Sequence, residues 1–188
     1  MTASNLGPSE RRILLDVARS SIRHGLDRGS RLEIDPADYP AALQAQRASF
    51  VTLHLEDELR GCIGHLEAVE PLVADVADNA FSAAFKDPRF PALRAAELAG
   101  LHIHISVLSP AEPMQFHSEA DLLRQLRPGV DGLILEDGWA RGTFLPSVWE
   151  SLPEPREFLT HLKRKAGLPM SHWSDRLRIY RYTTESFS

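Results

Sequence analysis

Two glycines inside a strand-like run constrain the fold of this chain most. The run is Leu59-Arg60-Gly61-Cys62-Ile63-Gly64, and it holds the only cysteine of the chain. Apolar, partly β-branched residues on both sides of Glu56-Asp57-Glu58 predict a hairpin over about residues 50–67. Because glycine weakens a strand, Gly61 and Gly64 each indicate a bulge or a close approach by another backbone or a ligand.

The position of Cys62 on this strand predicts a reactive or ligand-binding cysteine. Alternation places Arg60 and Cys62 on one face, with Leu59, Ile63 and His65 on the other. A cation beside a thiol favours the reactive thiolate, so Cys62 is predicted to be a nucleophile or a ligand contact in a tight pocket. The alternative is a small buried residue on a central strand, which is how most free cysteines behave.

Six motifs, in the same order along the chain, resemble the AMMECR1 domain family over roughly residues 10–185. They are Phe50-Val51-Thr52-Leu53, the Leu59–Gly64 run, Asp87-Pro88-Arg89-Phe90, Ser106-Val107-Leu108-Ser109-Pro110, Phe144-Leu145-Pro146-Ser147-Val148-Trp149 and Lys165-Ala166-Gly167-Leu168. The resemblance therefore implies one AMMECR1-like domain over residues 9–188, preceded by a flexible tail at residues 1–8.

The resemblance also carries expectations about fold and partners. It implies an α+β fold with two hairpin–helix–strand halves around a shared, mainly antiparallel sheet and a groove between the lobes. The family has no settled biochemical function. Its bacterial and archaeal members look like protein A of the AmmeMemoRadiSam system, which also contains a Memo-type protein and a radical-SAM protein.

Periodicity supports the same order of elements. Helices are predicted from Ser9 to about Gly25, over about 71–86, from Ser118 to about Leu126, and from Pro155 to Gly167. Strands are predicted at about 102–108 and 176–183, with a second hairpin around Asp137-Gly138. The two halves share this order without a matching sequence.

Asp87-Pro88-Arg89-Phe90 ends the second predicted helix and admits two interpretations. As a structural motif, it stops the helix and its charges fix the loop. As a functional motif, Arg89 joins Arg60 beside Cys62 and binds a carboxylate or phosphate. The predicted substrate-binding residues are Arg60, Gly61, Gly64, Asp87 and Arg89, and the predicted catalytic residue is Cys62.

Histidines offer weaker alternatives. His54, His65, His102 and His104 fall in predicted strands, but no carboxylate or third ligand stands in register with them, so no metal site is expected. A Cys–His–Asp arrangement stays open, because triads assemble from distant segments. No cofactor is expected.

Bulk properties exclude several classes. A net charge of -5 and a pI near 5.9 argue against nucleic acid as a partner. One cysteine excludes an internal disulfide, and no apolar run approaches the roughly 20 residues of a membrane span. The polar start resembles no secretory leader, so a cytoplasmic protein without membrane association is expected.

Two functions remain open. In the first, the protein is an enzyme or enzyme component that binds a small anionic substrate at the Leu59–Gly64 motif. In the second, it is a non-catalytic scaffold that docks partner proteins. Replacing Cys62 by serine is expected to abolish activity or binding at little cost in stability if the first is correct.

Overall fold

A computed structural model describes residues 5–188, which divide into two compact units. The first unit extends to Ser109 and includes Glu185–Ser188, and the second is Pro110–Thr184. The predicted α+β class is confirmed. The helices are α1 (Pro8–Arg28), α2 (Ala41–Gln44), α3 (Leu72–Phe85), α4 (Glu119–Gln125) and α5 (Pro155–Lys165), with 3-10 turns at Pro36–Asp38, Ala95–Gly100 and Pro146–Glu150.

Eight strands form two antiparallel sheets. The strands are β1 (Ser49–Leu55), β2 (Glu58–Gly64), β3 (Leu101–Leu108), β4 (Glu112–Pro113), β5 (Gly132–Asp137), β6 (Ala140–Phe144), β7 (Arg178–Tyr182) and β8 (Thr184–Phe187). The first sheet has the order β2-β1-β3-β8, and the second has β6-β5-β7-β4.

The predicted repeat of hairpin, helix and strand is confirmed, but each half builds its own sheet where a shared one was predicted. In each sheet the first hairpin strand, β1 or β5, lies between its hairpin partner and the strand that follows the helix. Both sides of β1 and β5 are therefore paired within their own half. The remaining edges of β3 and β7 are taken by β8 and β4. The groove between lobes stays a prediction.

Helices α1 and α3 cover one face of the first sheet. Leu14 and Ile22 of α1 and the apolar side of α3 share a core with Val51 and Leu53 of β1. Ala77, Ala80, Ala83 and Ala84 are buried on α3, and their small side chains let the helix lie close to the sheet. The hydrophobic effect makes this packing the main source of stability in the unit.

The second unit is organised in the same way around α5. Leu133 and Leu135 of β5 share a core with Phe158 and Leu162 of the helix. The Trp149 ring stacks on Phe158 with the ring centroids 3.8 Å apart. Within residues 5–188, no helix is both long enough and apolar enough to cross a membrane.

The boundaries of the predicted helices and strands agree with the structure to within a few residues. Ser118 caps α4 as predicted, because its hydroxyl accepts a hydrogen bond from the Asp121 N–H. The last predicted strand, about 176–183, corresponds to β7, whereas β8 at the edge of the first sheet was not predicted. The predicted tail, residues 1–8, lies partly outside the described residues, and within it Leu6 is buried and α1 begins at Pro8.

Candidate functional site

Cys62 lies on the face of the first sheet opposite helix α3. It pairs with Thr52 of β1, which in turn pairs with His104 of β3. Directly paired residues project to the same side of a sheet, so these three side chains form a row across three strands. The Cys62 Sγ lies 3.2 Å from the Thr52 hydroxyl oxygen, and the cysteine is partly exposed.

A β-bulge in β2 determines which way Cys62 points. Leu53 pairs with Gly61 while His54 pairs with Leu59, so Arg60 is an extra residue without a partner across the hairpin. With regular pairing, Cys62 would stand opposite Val51 on the helix side. The bulge also places Leu59 in register with His54 and thus on the Cys62 face. The predicted opposition of Leu59 and Cys62 is therefore wrong.

Both glycines of the motif stand where a side chain does not fit. A Cβ on Gly61 would lie 2.1 Å from the backbone oxygen of Ala83, so this glycine lets the backbone of α3 approach the sheet. A Cβ on Gly64 would lie 2.2 Å from Cγ of the Phe50 ring. The close approach of another backbone thus accounts for Gly61 without a ligand.

Asp87 fixes the backbone of Cys62. Its carboxylate is almost fully buried and accepts the Cys62 N–H at 2.9 Å. It also accepts hydrogen bonds from Arg89 Nε at 3.0 Å and Nη2 at 2.8 Å. These bonds from Arg89, together with the Cys62 N–H, hold the pKa of Asp87 well below its ordinary value.

Arg89 brings a positive charge beside the cysteine. Its Nη2 lies 3.5 Å from the Cys62 carbonyl oxygen, and 56% of its side chain is exposed. Hydrogen bonding to Asp87 raises the pKa of Arg89 further, and Cys62 adds to this in the same direction. The structure therefore brings Cys62, Asp87 and Arg89 together.

Arg60 is engaged elsewhere. Its Nε and Nη2 donate to the Glu97 carboxylate at 2.9 and 3.2 Å, and its Nη1 donates to the Pro91 carbonyl at 2.9 Å. Both side chains of the Arg60–Glu97 pair are only 11% exposed. The bonds from Arg60 lower the pKa of Glu97 to about 2. The guanidinium charge of Arg60 is therefore compensated by a carboxylate, as is that of Arg89.

Three of the four histidines considered above share the Cys62 face. His54 pairs with His102, and His104 stands in the next row beside Thr52. A surface cavity of about 340 Å³ is lined by these three histidines together with Asp57. Burial and the neighbouring His54 lower the pKa of His104. His65 lies apart, with its Nδ1 2.7 Å from the Asp75 carboxylate.

Sequence reasoning missed Thr52 and Glu97 as neighbours of the motif. The hairpin turn consists of Glu56 and Asp57, both with positive φ, and lacks the glycine that usually reveals a two-residue turn. Without that turn and the bulge, the register that joins Thr52 to Cys62 could not be derived. Glu97 has only a local signal, since it also accepts the Arg94 N–H at the start of a 3-10 turn.

Comparison with known proteins identifies the family of the chain. The AMMECR1 family model matches residues 15–187, so the chain belongs to the AMMECR1 family. A protein of Methanothermobacter thermautotrophicus is 42% identical over 193 residues, which cover 100% of this chain and 98% of that protein. A protein of Thermotoga maritima is 38% identical, covering 85% of this chain and 87% of the relative.

A solved structure has the same fold. The crystal structure of the uncharacterised protein PH0010 from Pyrococcus horikoshii matches with a TM-score of 0.83 and 35% sequence identity. The match covers 92% of this chain and 88% of PH0010. The predicted family and fold are thereby confirmed.

Proposed function

We propose that the surroundings of Cys62 form a site for a small anionic substrate, and that the protein is an enzyme or an enzyme component. The observation that carries this proposal is the arrangement around one residue. Asp87 binds the Cys62 backbone, Arg89 lies beside it, and the thiol stands on a partly exposed face. A partly exposed thiol beside a cation is the environment in which cysteines react.

Each motif residue has a role in this proposal. Cys62 is the nucleophile or the direct substrate contact, and Arg89 contacts the anionic group with the exposed part of its guanidinium. Asp87 positions both residues. Arg60 anchors the bulge through Glu97, while Gly61 and Gly64 keep β2 close to its neighbours.

The proposed partners come from the family resemblance. We propose that the protein works with a Memo-type protein and a radical-SAM protein, in a shared pathway or complex. The relatives named above carry no activity in their descriptions, so the chemistry of the site itself is the first property to test.

Two alkylating reagents that differ only in charge test the site. Iodoacetate carries a carboxylate and iodoacetamide is neutral, and both react with Cys62, the only cysteine of the chain. If Arg89 binds anions, the rate ratio of iodoacetate to iodoacetamide will exceed that of free cysteine. Replacing Arg89 by glutamine will lower the ratio, because the attracting charge is removed.

Lys86→Gln is the matched control, because it removes a neighbouring exposed cation outside the Asp87–Cys62 contacts. It will leave most of the excess ratio in place. A ratio equal to that of free cysteine in the unaltered protein would contradict the anionic substrate. An equal loss in both variants would show that only the general surface charge acts.

A docking module is the second candidate function, and an exposed tryptophan favours it. Trp139 lies in the turn between β5 and β6 and is fully exposed. Exposed tryptophan is enriched at protein interfaces. If the protein is a scaffold, Trp139→Ser will weaken capture of the Memo-type or radical-SAM protein, and Cys62→Ser will not. The reverse result would favour the substrate site.

A further inference from the structure

His65 and Asp75 form a second polar centre, on the helix side of the first sheet. His65 follows β2, and its backbone N–H donates to the Ser49 carbonyl. Its Nδ1 lies 2.7 Å from Oδ1 of Asp75, in the first turn of α3. The alternation of β2 separates this centre from the Cys62 thiol, which projects from the opposite face.

Buried hydrogen bonds hold the Asp75 carboxylate in place. Asp75 is fully buried, and its Oδ2 accepts the Ser49 N–H at 2.8 Å and the Ser49 hydroxyl at 2.6 Å. The same oxygen accepts the Asn79 side-chain amide at 2.9 Å. Only Oδ1 is left to face His65. Ligating carboxylates are commonly held in this way, by hydrogen bonds that leave one oxygen open, and here that oxygen lies beside the imidazole nitrogen.

Glu70 completes a group of three ligand types. It lies in the segment before α3, and one ligand atom each from His65, Glu70 and Asp75 lies within 4.8 Å of the others. Ligands of one tetrahedral ion, each about 2.1 Å from the metal, stand roughly 3.4 Å apart, so small side-chain adjustments would gather these atoms around a cation. Among residues 5–188, this is the group of histidine and carboxylate side chains whose three ligand atoms all lie within 4.8 Å of one another.

The charges of the group also point to a cation. Two carboxylates stand beside one imidazole, and within residues 5–188 His65 is the ion-pair partner of Asp75 while Glu70 has none. His65 is about two-fifths exposed, which leaves a path from solvent to the ring. A divalent ion would balance both carboxylates and keep the imidazole neutral.

We propose that His65, Glu70 and Asp75 bind a divalent first-row transition metal. One imidazole nitrogen with two carboxylate oxygens suits Zn²⁺, Fe²⁺ or Mn²⁺, and leaves a coordination position for water or a ligand. The sequence predicted no such site, because the carboxylates come from a loop and from a helix that follow the histidine by five and ten residues. This proposal is independent of the Cys62 site.

Titration of untagged, chelator-treated protein with Zn²⁺ and with Mn²⁺ tests the site. Calorimetry is expected to give one Zn²⁺ per chain. Both His65→Ala and Glu70→Gln will weaken Zn²⁺ binding by at least about tenfold, because each removes a direct ligand. Circular dichroism and the urea midpoint will show that the variants are folded, since neither side chain belongs to the buried core.

Three controls keep the result specific. His102→Ala removes an exposed histidine and Glu58→Gln an exposed carboxylate of the same sheet, and both will bind Zn²⁺ as the unaltered protein does. Cys62→Ser will do so as well, which separates this site from the thiol. The proposal is overturned if neither ion binds, or if His65→Ala and Glu70→Gln retain full affinity.

Discussion

The two hairpins of this protein have the same plan and different chemistry. In each, a glycine of the second strand pairs with a leucine of the first and faces the helix: Gly61 opposite Leu53, and Gly142 opposite Leu135. The glycine follows an arginine in both, as Arg60 and Arg141. The halves therefore share a short Arg-Gly match that sequence analysis had missed.

The two hairpins differ by one inserted residue. Seven residues lie between Leu53 and Gly61, and six between Leu135 and Gly142, so the first hairpin carries the bulge and the second is regular. The bulge at Arg60 keeps Gly61 under the helix although the strand is longer. A common plan has thus been modified at one position, and that position adjoins the cysteine.

The residues that follow the hairpin glycine, and the cations that bind them, also differ between the two hairpins. Thr143 stands where the first hairpin has Cys62, and its hydroxyl donates to the Leu133 carbonyl. Lys165 donates to the Thr143 carbonyl, as Arg89 does to that of Cys62. The cation at the second hairpin is a lysine beside a threonine, whereas the first hairpin has a half-exposed arginine at the backbone of a partly exposed cysteine. This contrast locates the proposed chemistry in the first unit.

Replacing each hairpin glycine by alanine tests the common plan with the largest expected effect. Gly61→Ala is expected to cost about 3 kcal/mol, because its Cβ would collide with a backbone oxygen that cannot rotate away. Gly142→Ala is expected to cost about 1 kcal/mol, since its Cβ would lie 3.0 Å from Ala166. Urea unfolding measures both, and equal costs would show that the two helices approach their hairpins alike.

Asp87 binds the backbone N–H of the cysteine in the first hairpin, so Asp87→Asn sharpens the contrast. It removes the counter-charge of Arg89 and weakens the bond to the Cys62 N–H, with an expected loss of about 2–3 kcal/mol. Lys165→Met, which removes the exposed cation at the Thr143 carbonyl, should change stability by less than about 0.5 kcal/mol. Similar losses for the two variants would refute the special role of Asp87.

Arg60 and Arg141, which precede the two hairpin glycines, differ in burial. Replacing each by methionine should therefore lower stability by different amounts. Arg60→Met is expected to cost about 2 kcal/mol, because it strands the Glu97 carboxylate and the Pro91 carbonyl. Arg141 pairs with Glu136 across the hairpin and is 45% exposed, so Arg141→Met should cost less than about 0.5 kcal/mol. The urea midpoint of each variant measures its loss of stability. A larger loss for Arg141→Met than for Arg60→Met would contradict this expectation.

Acid should weaken the first hairpin through Glu97. Its pKa falls from an ordinary 4.5 to about 2 in the folded protein, so its ion pair with Arg60 contributes fully above pH 4.5. That contribution, about 1–2 kcal/mol, is lost as the pH falls from 4.5 towards 2. Glu97→Gln should flatten this part of the stability profile. If the stability of Glu97→Gln falls with pH as steeply as that of the unaltered protein, the ion pair of Glu97 with Arg60 does not cause the acid sensitivity.

Converting the first hairpin to the chemistry of the second should have the smallest effect on stability. Cys62→Thr places at this position the residue that the second hairpin already accommodates, so the change should stay within about 1 kcal/mol. The measurement is again the urea midpoint, with Cys62→Ser as a second variant. A loss above about 2 kcal/mol in both would indicate a packing cysteine.

The sequence predicted the main helices and strands, because helix stops, turns and alternation are local. Asp87 and Arg89 were expected beside Cys62, and the structure places them there. The bulge could not be predicted, since nothing in Arg60 itself marks an unpaired position. The binding of Arg60 by Glu97, 37 residues away, depends on how β2 and a later 3-10 turn pack. The same holds for Asp75, whose partners Ser49 and His65 meet only in the folded sheet.

The rate at which neutral iodoacetamide modifies Cys62 in the folded protein tests the central claim most directly. The account predicts a reaction at least as fast as that of free cysteine at neutral pH, and slower in Arg89→Gln, because the cysteine is partly exposed and the Arg89 guanidinium contacts the same residue. Mass spectrometry of the folded protein and of the protein in urea provides the comparison. Modification that occurs only after unfolding would contradict the account and identify Cys62 as a packing residue.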